Sequence, residues 1–192
     1  MVKLILRFIF IVVMSFILGF VAAYAVGTRL PDRFVVSKSK AYDATPKQLW
    51  TILRDIEQYP KWRSGVKRIE VLGKNEKGFL TWKEYFSRRR NNKYEFSSLD
   101  YLKTMKIKVL KKKVPIAGTM VVQFSEHEGK GIIHLKHFVI ISNPYHRFVA
   151  KYVKDKDYYV DVFLVSLNRR LKQIEKMRLD ALTEAKKSAE DI

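Results

Sequence analysis

Two polar residues interrupt apolar rows in this 192-residue chain, and they are the first candidates for chemistry. In segment 79–86, strand alternation puts Glu84 on one face with Leu80, Trp82 and Phe86. In segment 132–141 it puts His137 with Ile133, Leu135, Val139 and Ile141. A carboxylate and an imidazole could act as acid and base. They could also be the one or two placed polar groups of an otherwise apolar small-molecule site. In the plainest reading they are core or edge residues satisfied by their neighbours.

Other chemistries fail on the residues available. The chain has no Cys, which removes thiol nucleophiles, thiolate metal sites and disulfides. His127, His134, His137 and His146 have no metal-ligand spacing that includes nearby carboxylates. His134 and His137 are three apart on a strand and point to opposite faces. There is no nucleophile elbow, phosphate loop or dinucleotide glycine motif. These residues assign no catalytic residue, cofactor or metal, and binding is favoured over catalysis.

The elements that must position Glu84 and His137 follow from periodicity. Residues 33–41 form a strand. Thr45-Pro46-Lys47-Gln48 is a capping box with Pro at the first helical position. Leu49, Ile52, Leu53 and Ile56 then continue a helical stripe. Pro60 is expected to interrupt it, and Lys61-Trp62-Arg63 to close a short second turn. From residue 66 the period falls to two, predicting strands at 66–72, 79–86, 93–99, 102–110, 117–124 and 132–141. Val160, Phe163, Leu164, Leu167, Leu171, Ile174 and Met177 form one stripe of a long C-terminal helix, followed by a tail at 183–192 whose last residues, 186–192, are expected to fray. A meander covered by one helix is an α+β layer architecture.

Lys and Arg total 38 against 19 Asp and Glu, so the net charge is +19 and anionic partners are favoured. Behind a basic flank, 1–7, residues 8–26 carry no charge. As a helix this run measures roughly 28 Å, close to a bilayer's hydrocarbon core. Ala23-Tyr24-Ala25 also fits a signal-peptide cleavage site, which leaves an exported soluble protein as an alternative. The unbroken length of the run favours an uncleaved single-pass membrane anchor, with 27–32 as a short linker. Arg29, Arg33, Lys38 and Lys40 outnumber Lys3, Arg7 and the α-amine, a bias towards a cytoplasmic domain whose small excess leaves the side open.

Several motifs together resemble the START-like superfamily, in particular its polyketide cyclase/dehydrase and lipid-transport group. They are Trp50, Asp55, Tyr59-Pro60 and Trp62; Thr81-Trp82-Lys83-Glu84; Pro115-Ile116-Ala117-Gly118-Thr119; and Asn143-Pro144-Tyr145-His146-Arg147-Phe148. Glu128-Gly129-Lys130-Gly131 departs from the group's usual Gly-Gly-Thr turn. The resemblance spans 33–182. It implies a helix-grip fold, a seven-stranded antiparallel sheet wrapped on the C-terminal helix. It also implies a cavity between sheet and helix for a lipid or other apolar small molecule, without implying catalysis. Trp82, Glu84, Phe86, Met105, Ile107, His137, Phe163, Leu167 and Leu171 are the residues expected to line it. The alternative within the group is a cyclase or dehydratase using Glu84 and His137.

Meander topology gives the charge a place. Arg88, Arg89 and Arg90 in one turn and Lys111, Lys112 and Lys113 in another fall at the same end of the sheet as Arg33, where the anchor joins. They are expected to dock on an anionic membrane surface, each cation contributing roughly 1 kcal/mol. Tyr94 and Phe96 near arginines could stack bases, but no nucleic-acid-binding motif is present and the adjacent span argues against nucleic acid. Oligomeric state is not legible in the sequence.

Overall fold

The computed structural model of the chain describes residues 2–110, 116–153 and 157–190. Its first element, α1 (Val2–Thr28), extends past the apolar run at both ends. With a mean hydropathy of 2.7 over its most apolar window, α1 is long and apolar enough to cross a membrane. Strand β1 (Arg33–Tyr42) follows, then α2 (Pro46–Arg54). The capping box forms as expected: Thr45 Oγ1 accepts from Gln48 N, and Gln48 Oε1 accepts from Thr45 N. A 3-10 turn, Ile56–Gln58, leads into α3 (Tyr59–Trp62). Pro60 therefore starts a helix where an interruption was expected. It stands in the first turn, where its missing N–H sacrifices no hydrogen bond.

The remaining strands are β2 (Arg68–Lys74), β3 (Leu80–Tyr85), β4 (Asn91–Asp100), β5 (Thr104–Val109), β6 (Ile116–His127) and β7 (Lys130–Ile141). Together with β1 they form a seven-stranded antiparallel sheet in the order β1-β7-β6-β5-β4-β3-β2. The β6–β7 connection is tighter than the sequence suggests. Glu128 (φ 50°) and Gly129 (φ 74°) both take left-handed conformations, which allows a two-residue hairpin and lets both strands run to the turn. Bulges between Val71 and Gly73 and between Phe96 and Ser98 add local twist, which helps the sheet curl.

The curled face is closed by α5 (Tyr158–Glu190). Val160, Phe163, Leu164 and Leu167 are buried against the sheet, and Leu171 is partly buried. Lys38 Nζ bonds Asp161 Oδ1 at 2.7 Å, and Tyr42 Oη donates to Leu164 O at 3.1 Å. These two contacts show that α5 runs along β1 in the same direction. Beyond Leu171 the helix overhangs the sheet, and Met177 is exposed. Where fraying was expected from 186, the helix continues to Glu190, since no Gly or Pro stops a run rich in Ala, Lys and Glu. This is the helix-grip fold.

A helix absent from the sequence reading, α4 (Pro144–Tyr152), follows β7 and packs on α1. A Cβ added to Gly27 would stand 1.9 Å from Pro144 O, so only glycine permits this backbone contact. The expected linker at 27–32 is correspondingly shorter and fastened. Leu30 O accepts from Arg147 Nη1 at 3.3 Å, and Asp32 O accepts from Ile141 N at 2.7 Å.

The register places one end of every strand together. Arg33 faces Ile140, Ile116 faces Ile141, Lys108 faces Thr119, Tyr94 faces Val109 and Tyr85 faces Asn91. Arg88, Arg89 and Arg90 are exposed at that end. Lys111, Lys112 and Lys113 lie outside the described residues.

Candidate functional site

Glu84 points from β3 into the grip, and its side chain is fully buried. Its partner is a residue that the sequence reading did not single out. Arg63 ends α3 in an extended conformation (φ −78°, ψ 115°), so its side chain leaves the helix and reaches the sheet. There the guanidinium forms an ion pair with Glu84 Oε1. Trp82 Nε1 donates to the same oxygen at 3.2 Å.

Aromatic rings enclose the pair. The guanidinium carbon lies 5.3 Å from the ring centre of Tyr59, 5.6 Å from Phe163 and 5.9 Å from Tyr94. These contacts join α3, α5 and β4 to one cation. The pair is asymmetric, because 21% of the Arg63 side chain remains exposed while Glu84 has none. Glu84 Oε2 and Trp62 Nε1 are buried with no hydrogen-bond partner among the described residues. Trp62 packs on Tyr59 and Phe163, the rings that flank Arg63. The site therefore offers a spare acceptor and a spare donor inside an apolar box. Such groups are costly to leave unfilled.

Burial pushes the Tyr94 phenol up to about 12, with the Glu84 charge adding and Arg63 opposing. Burial raises Tyr59 as well. Both remain neutral hydroxyls at physiological pH. Tyr59 donates to Leu53 O at 2.7 Å, which fixes the start of α3 against the end of α2.

His137 faces the grip from β7, half-buried, with Val36 and Met120 opposite it on the flanking strands. Burial pushes its imidazole down to about 4, and the positive charge of Arg63 pushes the same way. It is a neutral group at pH 7. No hydrogen bond joins it to Glu84 among the described residues. In the sheet order β7 and β3 are four strand spacings apart, about 19 Å along the sheet.

The other expected lining residues converge between sheet and α5. Trp82, Met105 and Leu167 are fully buried, Ile107 and Phe163 nearly so, and Phe86 and Leu171 pack against them. They fill this space by contact with one another. A separate open cleft of about 570 Å³ lies at the far end of the sheet, between α2 and the β4–β5 hairpin. Trp50, Thr51, Arg54, Asp55, Leu99 and Tyr101 line it; none was among the expected lining residues, although Trp50 and Asp55 belong to the motif that carried the family resemblance. Tyr94 and Phe96, considered for base stacking, are buried in the core. Among the described residues no cluster of three or more His, Asp or Glu side chains could hold a metal ion.

A curled antiparallel sheet closed by a C-terminal helix, with a few polar groups inside, defines the class of helix-grip domains. Residues 33–131 match the family described as polyketide cyclase / dehydrase and lipid transport, and the chain belongs to that family. Among solved structures it is similar to a START superfamily protein from Mycobacterium smegmatis, at 12% identity and a TM-score of 0.56, covering 73% of this chain and 98% of that one. The Zhui aromatase/cyclase from a Streptomyces species is similar at 12% identity and a TM-score of 0.56, covering 72% and 96%. Norcoclaurine synthase from Thalictrum flavum is similar at 10% identity and a TM-score of 0.57, covering 74% and 96%. At these identities the likeness shows the fold. No curated protein matches the sequence.

The ion pair and the histidine each generate a prediction. Removing one partner of a buried pair strands the other charge, so Arg63→Met and Glu84→Gln should each cost about 3–5 kcal/mol. The double substitution should cost clearly less than their sum. Urea unfolding of the detergent-solubilised chain, followed by tryptophan fluorescence, measures all three; additive losses would show that the residues do not interact. For His137, the unfolded imidazole binds a proton near pH 6.5 while the folded one resists until about 4. Its contribution to stability is therefore complete above pH 6.5 and is lost as pH falls towards 4, at up to about 1.4 kcal/mol per pH unit. His137→Gln should flatten the stability profile across that window, and an unaltered profile would contradict the burial of a neutral imidazole.

Proposed function

We propose that this protein is a membrane-anchored helix-grip domain that binds a lipid or similar apolar molecule between sheet and α5. The observation that carries this reading is the polar box. Around Arg63 and Glu84 the interior is mainly aromatic and aliphatic, and two buried polar atoms, Glu84 Oε2 and Trp62 Nε1, have no partner among the described residues. A polar end that donates a hydrogen bond would satisfy Glu84 Oε2, and one that accepts would satisfy Trp62 Nε1. The body of the bound molecule would take the place of packed side chains, among which the flexible Met105 adapts most readily.

Acid–base catalysis by Glu84 and His137 is the less favoured reading. Arg63 occupies one carboxylate oxygen, and no hydrogen bond joins Glu84 to His137 among the described residues. The ring contact of Phe20 with Tyr145 at 5.0 Å and the burial of Ala23, both of which cleavage after Ala25 would remove, support retention of α1 as a membrane anchor. The exposed Arg88, Arg89 and Arg90, at the sheet end where α1 joins, support docking on acidic headgroups. Lys111–Lys113 would add to this.

A pyrene-labelled fatty alcohol tests the binding reading, because the chain's tryptophans can transfer energy to pyrene. The full chain in detergent should show saturable one-to-one transfer above a micelle background. Glu84→Gln should weaken it about tenfold, the equivalent of one lost hydrogen bond to a charged group. Tyr101→Ser, in the far cleft, should leave it unchanged. Transfer that fails to saturate, or that responds to Tyr101 instead of Glu84, would overturn the assignment.

A further inference from the structure

The helix α4 shares its position with the last turns of α1, and that contact fixes its depth. Ala23 and Gly27 of α1 are buried, Gly27 directly on the backbone of Pro144. One turn deeper, the rings of Phe20 and Tyr145 lie 5.0 Å apart. Phe20 precedes the end of the apolar run by six residues, about 9 Å along a helix. If α1 spans a bilayer with 8–26 in the hydrocarbon, Tyr145 cannot remain in bulk water. It is carried to the depth where interfacial helices bury their apolar faces, about 5–10 Å into the headgroup–acyl boundary.

The rest of α4 suits that depth. None of its residues is fully buried by the protein. Phe148 and Tyr152 pack ring on ring at 5.1 Å, with Lys151 Nζ over the Tyr152 ring. Beyond them Tyr152 and Val153 are 57% and 67% exposed, and Tyr158 and Tyr159, which open α5, are 55% and 57% exposed. Because α5 runs along β1 in the same direction, its first turn lies at the sheet end where α1 joins. Tyrosines and lysine at one level are the composition of a membrane interface. Arg147 does not oppose this, since it donates to the carbonyls of Ile141 (2.7 Å), Ser142 (3.1 Å) and Leu30 (3.3 Å). Those bonds satisfy junction carbonyls that would be costly to leave unpaired near hydrocarbon.

We infer that α4 and the first turn of α5 form an interfacial platform embedded in the same lipid leaflet that α1 leaves. This inference rests on reading α1 as a membrane span. The platform's partner is bilayer lipid. The grip is then held in one pose against the membrane, with the α4–α5 end in contact with acyl chains, where a tether would let it move freely.

The absence of native cysteine allows single-site labelling. The full chain carrying Met14→Cys, Tyr101→Cys, Tyr152→Cys or Tyr159→Cys would be labelled with a fluorophore and reconstituted in phosphatidylcholine–phosphatidylglycerol vesicles. Lipids with a nitroxide near the top or near the end of the acyl chain then report depth. The top nitroxide should quench the labels at Tyr152→Cys and Tyr159→Cys several-fold more than the label at Tyr101→Cys. The chain-end nitroxide should quench the label at Met14→Cys. Deep quenching at Met14→Cys with Tyr152→Cys and Tyr159→Cys no more quenched than Tyr101→Cys would keep the span and overturn the platform. No quenching at Met14→Cys would overturn the span, and the platform with it. Gly27→Leu, which forces α1 from α4, should reduce quenching at Tyr152→Cys and leave Met14→Cys unaltered. If that variant does not insert, the four single-site labels decide alone.

Discussion

The ion pair between Arg63 and Glu84 is the interaction on which the interior depends. A carboxylate with no exposed surface is tolerable only beside a cation, and the cation must arrive from outside the sheet. Four elements have to be in place for that to happen. β3 presents Glu84 inward, α3 ends at Arg63 so that the guanidinium can turn back, and Tyr94 of β4 and Phe163 of α5 complete the aromatic wall. Because these elements are far apart in sequence, the pair ties the helical insert after β1 to the middle of the meander and to the closing helix. The same pair divides the concave face into an apolar cradle and a polar corner, and it has bonding capacity left over.

The second constraint is at the junction with α1. Gly27, Pro144 and Arg147 connect the end of the apolar helix, the end of β7 and the start of α4 within a few residues. A grip joined in this way transmits the orientation of α1 directly to the sheet. For a domain that takes up an apolar molecule, proximity to the source of such molecules removes the need to carry them through water. The tyrosine-rich α4–α5 surface and the exposed arginines after β3 belong to the same end, so apolar and electrostatic contacts with a membrane would act together.

Much of the fold was legible in the sequence because it rests on local rules. Period-two alternation gave the strands and placed Glu84 and His137 on inward faces. Thr45 to Gln48 gave the start of α2. The stripe from Val160 gave the closing helix, and the motifs from Trp50 to Trp62 pointed to the family. What escaped depends on contacts between distant segments. Arg63 follows Trp62 in a basic tripeptide that resembles any solvated turn, and only the three-dimensional path of α3 brings it to Glu84. The need for a counter-charge at Glu84 was the available signal. The start of α4 was legible in Asn143, which caps it, and Pro144, which opens its first turn, but the segment was read only as part of a family motif. The β6–β7 turn was overlong in the sequence reading because Glu128 has to adopt a conformation that non-glycine residues seldom take.

The central claim, that the grip holds an apolar molecule at the Arg63–Glu84 corner, is tested most directly by native mass spectrometry of the full chain released from detergent. The expected result is a one-to-one adduct with a single class of lipid-like molecule, retained by the native chain and depleted in Glu84→Gln. A clean unliganded mass for the native chain, under conditions in which the Arg63–Glu84 pair is intact, would contradict it.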